Sequence, residues 1–188
     1  MRLLQENEIE DADLLLNLCR GDREALSYVF TMYYPYLFNY GLKIVSNNEE
    51  LVKDCIQDVF LSIWRRRKNL VNVKSLKPYL FSALRLRLYR QLEKQTSRID
   101  RNHKYFYQSF DDTLNVEELI ILFEIQKEQK EKLLSALNKL SNRKKEALYL
   151  KFYDGLSNEE IALVMGINTQ SVYNHISEAI QLLKNFID

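Results

Sequence analysis

Residues 157–183 read SNEEIALVMGINTQSVYNHISEAIQLL, and this stretch decides the fold. Ser157 followed three residues later by Glu160 is a capping box, which predicts the start of a helix. Gly166 stands where a tight turn needs a left-handed backbone, and a second helix is predicted to begin near Thr169. The small residue Ala162 is followed four residues later by Gly166 and six residues after that by Val172, which is branched and apolar. This is the spacing of a helix-turn-helix. A plain helical hairpin is the alternative.

The second helix of this motif has an outer face without positive charge. No Lys or Arg occurs between residues 168 and 181. In a helix-turn-helix the outward side chains of the second helix enter a major groove. Here they are Thr169, Gln170, Tyr173, Asn174 and Ser177, with His175 near the edge.

Helical periodicity extends over most of the chain. Only four Gly and two Pro occur among 188 residues, and no alternating β-branched run is present, so the predicted fold is all-α. Helices are predicted at 11–20, 22–44, 49–67, 78–94, 117–139, 142–153, 157–165 and 169–186. Pro35 predicts a kink or break within the second of these helices, and 68–74 is predicted to be a loop. Two small helical domains, 1–95 and 117–188, are therefore predicted, joined by a polar linker over 96–116.

The charge distribution is uneven, although the formal net charge is only +1. Residues 1–60 carry five basic and eleven acidic side chains, residues 61–104 carry thirteen and two, and residues 105–188 carry nine and thirteen. The three net charges are −6, +11 and −4. A basic block with interleaved aromatic side chains inside an acidic protein favours a polyanion site over a solvated helix face.

Several classes of protein are disfavoured. No apolar run has the roughly 18 residues of a membrane helix, and the acidic N-terminus does not resemble a signal peptide, so no membrane insertion and a cytoplasmic location are expected. Cys19 and Cys55 are predicted to be buried thiols. His103 and His175 lie in different segments, and no metal-spaced, Cys-His or phosphate-loop pattern occurs. We therefore expect no catalytic residues, no metal and no cofactor.

Four stretches resemble, in order, the extracytoplasmic-function group of RNA polymerase sigma factors, within the sigma-70 family. The stretch 153–168, YDGLSNEEIALVMGIN, looks like the start of that family's promoter-reading domain, and 54–64, DCIQDVFLSIW, looks like its polymerase-docking helix. Residues 21–26 with 33–37 resemble the helices before it, and 75–84 resemble the segment that opens DNA. The resemblance covers about residues 10–95 and 117–187.

The resemblance implies a function and three sets of residues. A sigma factor binds core RNA polymerase, through its beta and beta-prime subunits, and directs it to promoter DNA for initiation and strand opening. The set expected to face polymerase is Asp54, Gln57, Asp58 and Leu61. The set expected to hold the minus-ten element is Arg65, Arg66, Arg67, Lys68, Asn69, Lys74, Lys77, Tyr79, Arg85, Arg87 and Arg90. The set expected to read the minus-thirty-five element is Gln170, Ser171, Asn174 and His175, with Arg143, Lys144 and Lys145 near the backbone.

One alternative and one further partner accompany this interpretation. A stand-alone helix-turn-helix transcriptional regulator would account for residues 142–187, but it would leave the acidic helix and the basic block unexplained. Such a regulator would bind specific DNA without polymerase. The resemblance also implies an anti-sigma factor as a partner, which in this family is often membrane-bound.

Overall fold

The computed structural model describes residues 12–96, residue 110 and residues 130–187. The described part is helical and contains no strand, which confirms the predicted all-α class. Its elements are α1 (12–20), α2 (Arg23–Ile44), α3 (Glu49–Arg65), a 3-10 helix (Arg67–Asn72), α4 (Leu76–Thr96), α5 (Lys130–Lys139), α6 (Asn142–Phe152), α7 (Asn158–Met165) and α8 (Thr169–Ile187). We call residues 12–96 the N-terminal half and residues 130–187 the C-terminal half.

Side-chain caps set the helix starts in the N-terminal half. The Asp22 carboxylate accepts a hydrogen bond from the Glu24 amide at 2.8 Å, and Asn48 Oδ1 accepts one from the Leu51 amide at 3.2 Å. Each cap gives a partner to an amide that the first helical turn leaves unpaired. Helices α2, α3 and α4 then pack on one another in pairs through their apolar stripes.

Helix α2 is one continuous helix, so Pro35 does not break it. A proline at this position cannot donate a hydrogen bond to the Thr31 carbonyl. Both residues lie on the exposed side of α2. The Thr31 carbonyl, which lacks its helical donor, is therefore near solvent and avoids the cost of being buried without a hydrogen bond.

Glycine allows α2 and α3 to approach closely. A Cβ atom at Gly41 would lie 2.6 Å from Val52 Cγ1 and 3.5 Å from Leu88 Cδ1. Gly41 is buried and Val52 is fully buried. The position of α3 therefore depends on the absence of a side chain at residue 41.

The C-terminal half contains the predicted helix-turn-helix. Ser157 and Glu160 form the capping box at the start of α7, and Gly166 ends that helix in the left-handed region with φ 66°. Asn168 caps α8 through a 2.7 Å hydrogen bond from the Ser171 amide. The inward-facing side chains of the motif are buried, and they are Ile161, Ala162, Met165, Val172, Ile176, Ala179 and Leu183.

The two halves pack against each other, mainly through α4 and α7. Their buried side chains form one continuous apolar cluster. Phe110 contributes to it, with its ring centroid 5.8 Å from that of Tyr149 and 6.4 Å from that of Tyr40.

The larger differences from the predicted element boundaries lie around α3 and α4. Helix α3 ends at Arg65 rather than residue 67, and the predicted loop at 68–74 is largely a 3-10 helix. Helix α4 begins at Leu76, two residues before Pro78. Helix α4 extends to Thr96, the first residue of the linker predicted over 96–116. The rest of that linker, apart from residue 110, and residues 117–129 of the predicted helix 117–139 lie outside the described residues.

Candidate nucleic-acid interface

Helix α3 presents a stripe whose charge changes sign along its length. Asp54, Asp58, Leu61 and Arg65 follow one another at steps of four, three and four residues, so they lie along one side of the helix. Asp54, Leu61 and Arg65 are exposed, and Asp58 is half-buried. Gln57 is exposed beside them. The structure thus brings together the four residues expected to contact polymerase.

The end of this stripe meets a group of exposed cations. Asp54 and Arg65 are eleven residues apart, which is about 16 Å along a helix. Most residues of the minus-ten set that lie near the C-terminal end of α3, or in the segment that follows it, are exposed. They are Arg65, Arg66, Lys68, Asn69, Lys74 and Tyr79, with Arg90 exposed further along α4. These side chains are accessible to a polyanion.

Arg67 differs from its neighbours because it packs against protein. Its guanidinium carbon lies 4.8 Å from the centroid of the Trp64 ring, and its Nη1 donates to the Trp64 carbonyl at 3.0 Å. A Cβ at Gly21 would lie 3.1 Å from Arg67 Nε. The stacked arginine therefore covers the end of α3 and the turn after α1, and it is less accessible to DNA than Arg65 and Arg66.

An ion pair joins the stripe of α3 to α4. Arg87 Nη1 lies 2.6 Å from Asp58 Oδ2, and Arg87 Nη2 donates to Ser62 Oγ at 3.0 Å. Arg87 was expected to hold DNA phosphates, and Asp58 was expected to face polymerase. In this structure they are paired with each other, so a change at Asp58 also alters the surroundings of Arg87.

The two halves are joined by a buried polar cluster that we call the clasp: Tyr40 of α2, Arg85 of α4 and Glu146 of α6. Tyr40 donates its hydroxyl proton to Glu146 Oε1 at 2.6 Å. Arg85 donates from Nε to Oε1 at 2.7 Å and from Nη2 to Oε2 at 3.2 Å. Only 3% of the Glu146 side chain and 14% of the Arg85 side chain are exposed. Arg85 and Glu146 thus form a bidentate ion pair, to which the Tyr40 hydroxyl adds one more hydrogen bond.

The electrostatics of the clasp keep Arg85 charged and Tyr40 neutral. Burial disfavours the charged arginine, but the hydrogen bonds and negative charge of Glu146 outweigh it and raise the pKa of the Arg85 guanidinium. Burial, followed by the charge of Glu146, raises the pKa of Tyr40 well above its ordinary value. The phenol therefore remains a hydrogen-bond donor throughout the physiological pH range.

A second polar contact joins the halves at the start of α4. Lys77 donates to the backbone carbonyl of Asp154, and its Nζ lies 5.0 Å from the centroid of the Tyr36 ring. The Asp154 side chain is buried, and its Oδ2 has no hydrogen-bond partner within the part of the chain that the structure describes. Burial raises the pKa of this carboxyl to about 7, against the opposing charge of Lys77.

The helix-turn-helix presents the expected reading residues at one end of α8. Gln170 and Asn174 are exposed, and Gln170 Nε2 donates to Asn174 Oδ1 at 3.1 Å. Ser171 and His175 are half-buried. Burial, followed by the charge of Arg143, lowers the pKa of His175. At neutral pH this imidazole is therefore uncharged, and the reading face keeps its neutral character.

The basic residues near this face are less exposed than the sequence suggested. Lys144 lies 2.9 Å from Glu178 Oε2, Arg143 is half-buried, and Lys145 is only 4% exposed. The resemblance places all three near the DNA backbone, which requires accessible side chains, and the buried Lys145 does not meet that expectation. Helix α6 is covered on several sides, because the N-terminal half packs on it as well as α8.

An open cleft of about 1660 Å³ lies between the halves. Its walls come from α1, α2, the start of α4 and α7. The outer side of α2 lines it with exposed Tyr28, Met32 and Tyr36, and α7 adds exposed Leu163. This is an apolar surface with aromatic side chains, rimmed by Asp13, Lys74, Glu159 and other polar residues.

Sequence reasoning missed Glu146 and Asp154 as important residues. A signal for Glu146 was present: it shares a helical face with Tyr149 and Leu150, three and four residues further on. An acidic side chain on an apolar face needs a partner when it is buried. The sequence did not show that the partners come from the other half.

No group of three or more His, Cys, Asp or Glu side chains is arranged to hold a metal ion in the part of the chain that the structure describes. Among the same residues, no helix is both long and apolar enough to cross a membrane.

Comparisons with known proteins match both halves. Residues 29–98 match the family model of sigma-70 region 2, and residues 130–183 match that of sigma-70 region 4. A curated relative, the ECF RNA polymerase sigma factor SigK of Mycobacterium ulcerans (strain Agy99), is 21% identical over 93% of this chain and 92% of its own length.

Two solved structures share the fold. One is the co-crystal structure of the sigma factor RpoE with the anti-sigma factor NepR from Bartonella quintana, with TM-score 0.56 and 21% identity over 85% of this chain and 94% of that one. The other is CnrH in complex with the cytosolic domain of CnrY, with TM-score 0.59 and 18% identity over 95% and 97% of the two chains. These likenesses confirm an all-α fold of two small helical domains.

Proposed function

Because the chain belongs to the extracytoplasmic-function group of the sigma-70 family, we propose that each of its three exposed surfaces performs one step of transcription initiation. Sigma factors are initiation factors that bind RNA polymerase and direct it to promoters, rather than enzymes. The proposal assigns polymerase docking to the stripe of α3, the minus-ten element to the cations that follow, and the minus-thirty-five element to α8.

The division of the chain follows the same assignment. We propose a region 2 domain over 1–95, a linker over 96–116 and a region 4 domain over 117–188. The observation that carries the functional proposal is the sign change along α3, from exposed Asp54 to exposed Arg65 within about 16 Å. A protein partner with basic side chains and a nucleic acid can thus bind the same helix side by side.

Docking is tested by charge reversal at Asp54. Asp54 is exposed, whereas Asp58 also holds Arg87, so Asp54→Lys changes the polymerase-facing surface with less effect on α4. We expect the affinity for core polymerase to fall by about tenfold or more, in the range of single charge pairs at interfaces. Glu24→Lys is the matched control, because Glu24 is an exposed acidic residue in the first turn of α2. Equal affinity of both variants for core polymerase in a fluorescence titration would contradict the assignment.

Strand opening is tested at the exposed cations. Arg65→Ala with Arg66→Ala removes two exposed charges and leaves Arg67, which packs on Trp64, in place. The double variant should keep its affinity for polymerase but open promoters more slowly, as measured by permanganate reactivity of unpaired thymines. Arg20→Ala with Arg23→Ala is the control, because these are two exposed cations outside the site. Unchanged opening by the double variant counts against the proposed role.

The anti-sigma partner is proposed from the neighbours, of which one is a complex with the anti-sigma factor NepR and the other a complex with the cytosolic domain of CnrY. The apolar cleft between the halves suits an amphipathic helix of such a partner. Met32→Lys should then abolish co-purification of the partner, while polymerase binding persists. If Met32→Lys keeps both the anti-sigma partner and polymerase, or loses both, the cleft is not the binding site.

We also propose that the protein acts in the cytoplasm, where polymerase and promoter DNA are found. The alternative function is a stand-alone helix-turn-helix regulator. It differs in one measurable property, because such a regulator binds its specific DNA without polymerase. The stripe of α3, which is proposed to bind polymerase, has no role in a regulator that binds DNA alone.

A further inference from the structure

We propose that Arg87 of α4 is a positioning residue for polymerase docking, which holds the Asp58 carboxylate of α3 in the orientation that polymerase binds. The inference rests on the proposed function, because that function assigns the stripe of α3 to polymerase. It also gives Arg87 a different role from the one that the resemblance implies, since the resemblance places this arginine among the residues that hold DNA phosphates.

Arg87 reaches from α4 to two successive turns of α3. Its Nη1 lies 2.6 Å from Asp58 Oδ2, and its Nη2 donates to Ser62 Oγ at 3.0 Å. Asp58 and Ser62 are four residues apart, so they are neighbours on one face of the helix. Both terminal nitrogens of the planar guanidinium are therefore engaged on α3, which fixes the direction from which the group meets the carboxylate.

The pairing favours a role in docking over a role on DNA. Arg65, which is proposed to bind the minus-ten element, is exposed, whereas only 32% of the Arg87 side chain is exposed. A phosphate that took Arg87 would have to replace both the Asp58 carboxylate and the Ser62 hydroxyl. It would also remove the positive charge that Asp58 faces and leave this carboxylate one turn from Asp54, where like charges repel.

The ion pair leaves Asp58 able to bind a partner. About half of its side chain, 48%, remains exposed. A carboxylate accepts hydrogen bonds through two oxygens and can take several donors at once. Asp54 and Leu61, on the same side of α3, are exposed as well. A basic side chain of polymerase can thus approach the stripe and share the carboxylate with Arg87.

Holding the carboxylate before docking raises the affinity for polymerase. A side chain that moves freely in the unbound protein must be ordered when the partner binds, and this ordering weakens association. Arg87 orders Asp58 in the free chain, so docking loses less conformational entropy. Aspartate is short and has few rotatable bonds. The expected gain is therefore at the low end for one ordered side chain, about threefold in the dissociation constant.

The test is a fluorescence titration of core RNA polymerase with the full chain and the variant Arg87→Lys. Lysine keeps the positive charge, but its single nitrogen cannot reproduce the fork that holds Asp58 and Ser62 together. The dissociation constant should rise about threefold, with the same salt dependence as the wild type because the charge is unchanged. Lys94→Arg is the matched control, since Lys94 is an exposed cation of the same helix, and its affinity should equal that of the wild type.

A double-mutant cycle distinguishes positioning from a structural role. In an Asp58→Asn background, Arg87→Lys should have no further effect on polymerase affinity, because the carboxylate that Arg87 positions is absent. Equal losses in both backgrounds, or an unchanged affinity in the wild-type background, would overturn the proposal. If Arg87→Lys fails to fold by circular dichroism, Ser62→Ala replaces it. This change removes the second anchor of Arg87 from a helix that favours alanine, and it should weaken binding in the same way; an unchanged affinity again overturns the proposal.

Asp54→Lys separates this inference from the proposed function. If Asp54→Lys binds polymerase as tightly as the wild type, α3 is not the docking surface and both fail. If it binds weakly while Arg87→Lys and Ser62→Ala bind like the wild type, the inference alone is wrong. At saturating polymerase, Arg87→Lys should open promoters at the wild-type rate in the permanganate assay. Slower opening with unchanged polymerase affinity would show that Arg87 acts on DNA instead.

Discussion

Asp154 gives the sharpest prediction about stability, because its carboxyl is buried in the C-terminal half with one oxygen unpaired among the described residues. Burial raises its pKa from 3.8 to about 7. The folded chain thus binds this proton more tightly than the unfolded chain, and folding is favoured at low pH. The contribution is complete below about pH 4 and is lost as the pH rises toward 7.

The magnitude follows from the size of the shift. Each pKa unit corresponds to about 1.4 kcal/mol, so a rise from 3.8 to about 7 corresponds to a loss of ~4 kcal/mol of unfolding free energy between about pH 4 and pH 8. Asp154→Asn has nearly the same shape but cannot ionise. The variant should therefore be more stable than the wild type at pH 8, and the difference should shrink by ~3 kcal/mol at pH 5.

The assay is urea unfolding of both proteins at pH 5, 6, 7 and 8, followed by circular dichroism. Glu159→Gln is the control, because Glu159 is exposed in the same half, and it should follow the pH dependence of the wild type. If Asp154→Asn and wild type show parallel pH dependence, the carboxyl is not kept protonated by burial and the reasoning fails.

Three further predictions concern single positions. Gly41→Ala should lower the unfolding free energy by about 1–2 kcal/mol, because overpacking against Val52 outweighs the helix preference of alanine. In thermal denaturation, adding Val52→Ala should remove this penalty. Additive effects of the two changes would contradict the contact. Cys55 should react with iodoacetamide at pH 8 much more slowly in the folded than in the unfolded chain, since burial raises its pKa to about 11; mass spectrometry measures this, and equal rates would refute it. In the complex with polymerase, Gln170→Ala should relax selectivity at one or two upstream base pairs by about 1–3 kcal/mol, with affinity for unrelated DNA unchanged; a uniform loss across sequences would instead indicate a phosphate contact.

The sequence predicted those parts of the fold that depend on short-range patterns. The capping box of Ser157 and Glu160, the left-handed Gly166 and the buried face of α8 all follow from residues within a few positions of one another. Such patterns are physically local, because they involve the hydrogen bonds and side-chain directions of a single helix end or face. The all-α class was predicted for the same reason.

The sequence did not predict features that depend on distant contacts. Glu146 finds Arg85 and Tyr40 in the other half, 61 and 106 residues away, so no local pattern could reveal the clasp. The burial of Lys145 has the same origin. The 3-10 helix Arg67–Asn72 was missed because it has no helical repeat of apolar residues.

The site was predicted as sets of residues, and the structure divides these sets by exposure. Arg65 and Arg66 face solvent, but Arg67 stacks on Trp64, and Arg85 and Arg87 are paired with carboxylates. A run of arginines in a sequence gives no indication of which members have partners, because those partners are set by packing. The roles of the exposed members remain predictions that the experiments above address.

The most direct test of the central claim is transcription in vitro with purified chain, core RNA polymerase and genomic DNA of the source bacterium, followed by sequencing of the transcript 5′ ends. The account predicts discrete start sites that require both proteins and that share two upstream sequence elements about 25 base pairs apart. These start sites should disappear with Asp54→Lys and persist with Glu24→Lys. The absence of any start site that depends on the chain, or specific DNA binding by the chain without polymerase, would contradict the account.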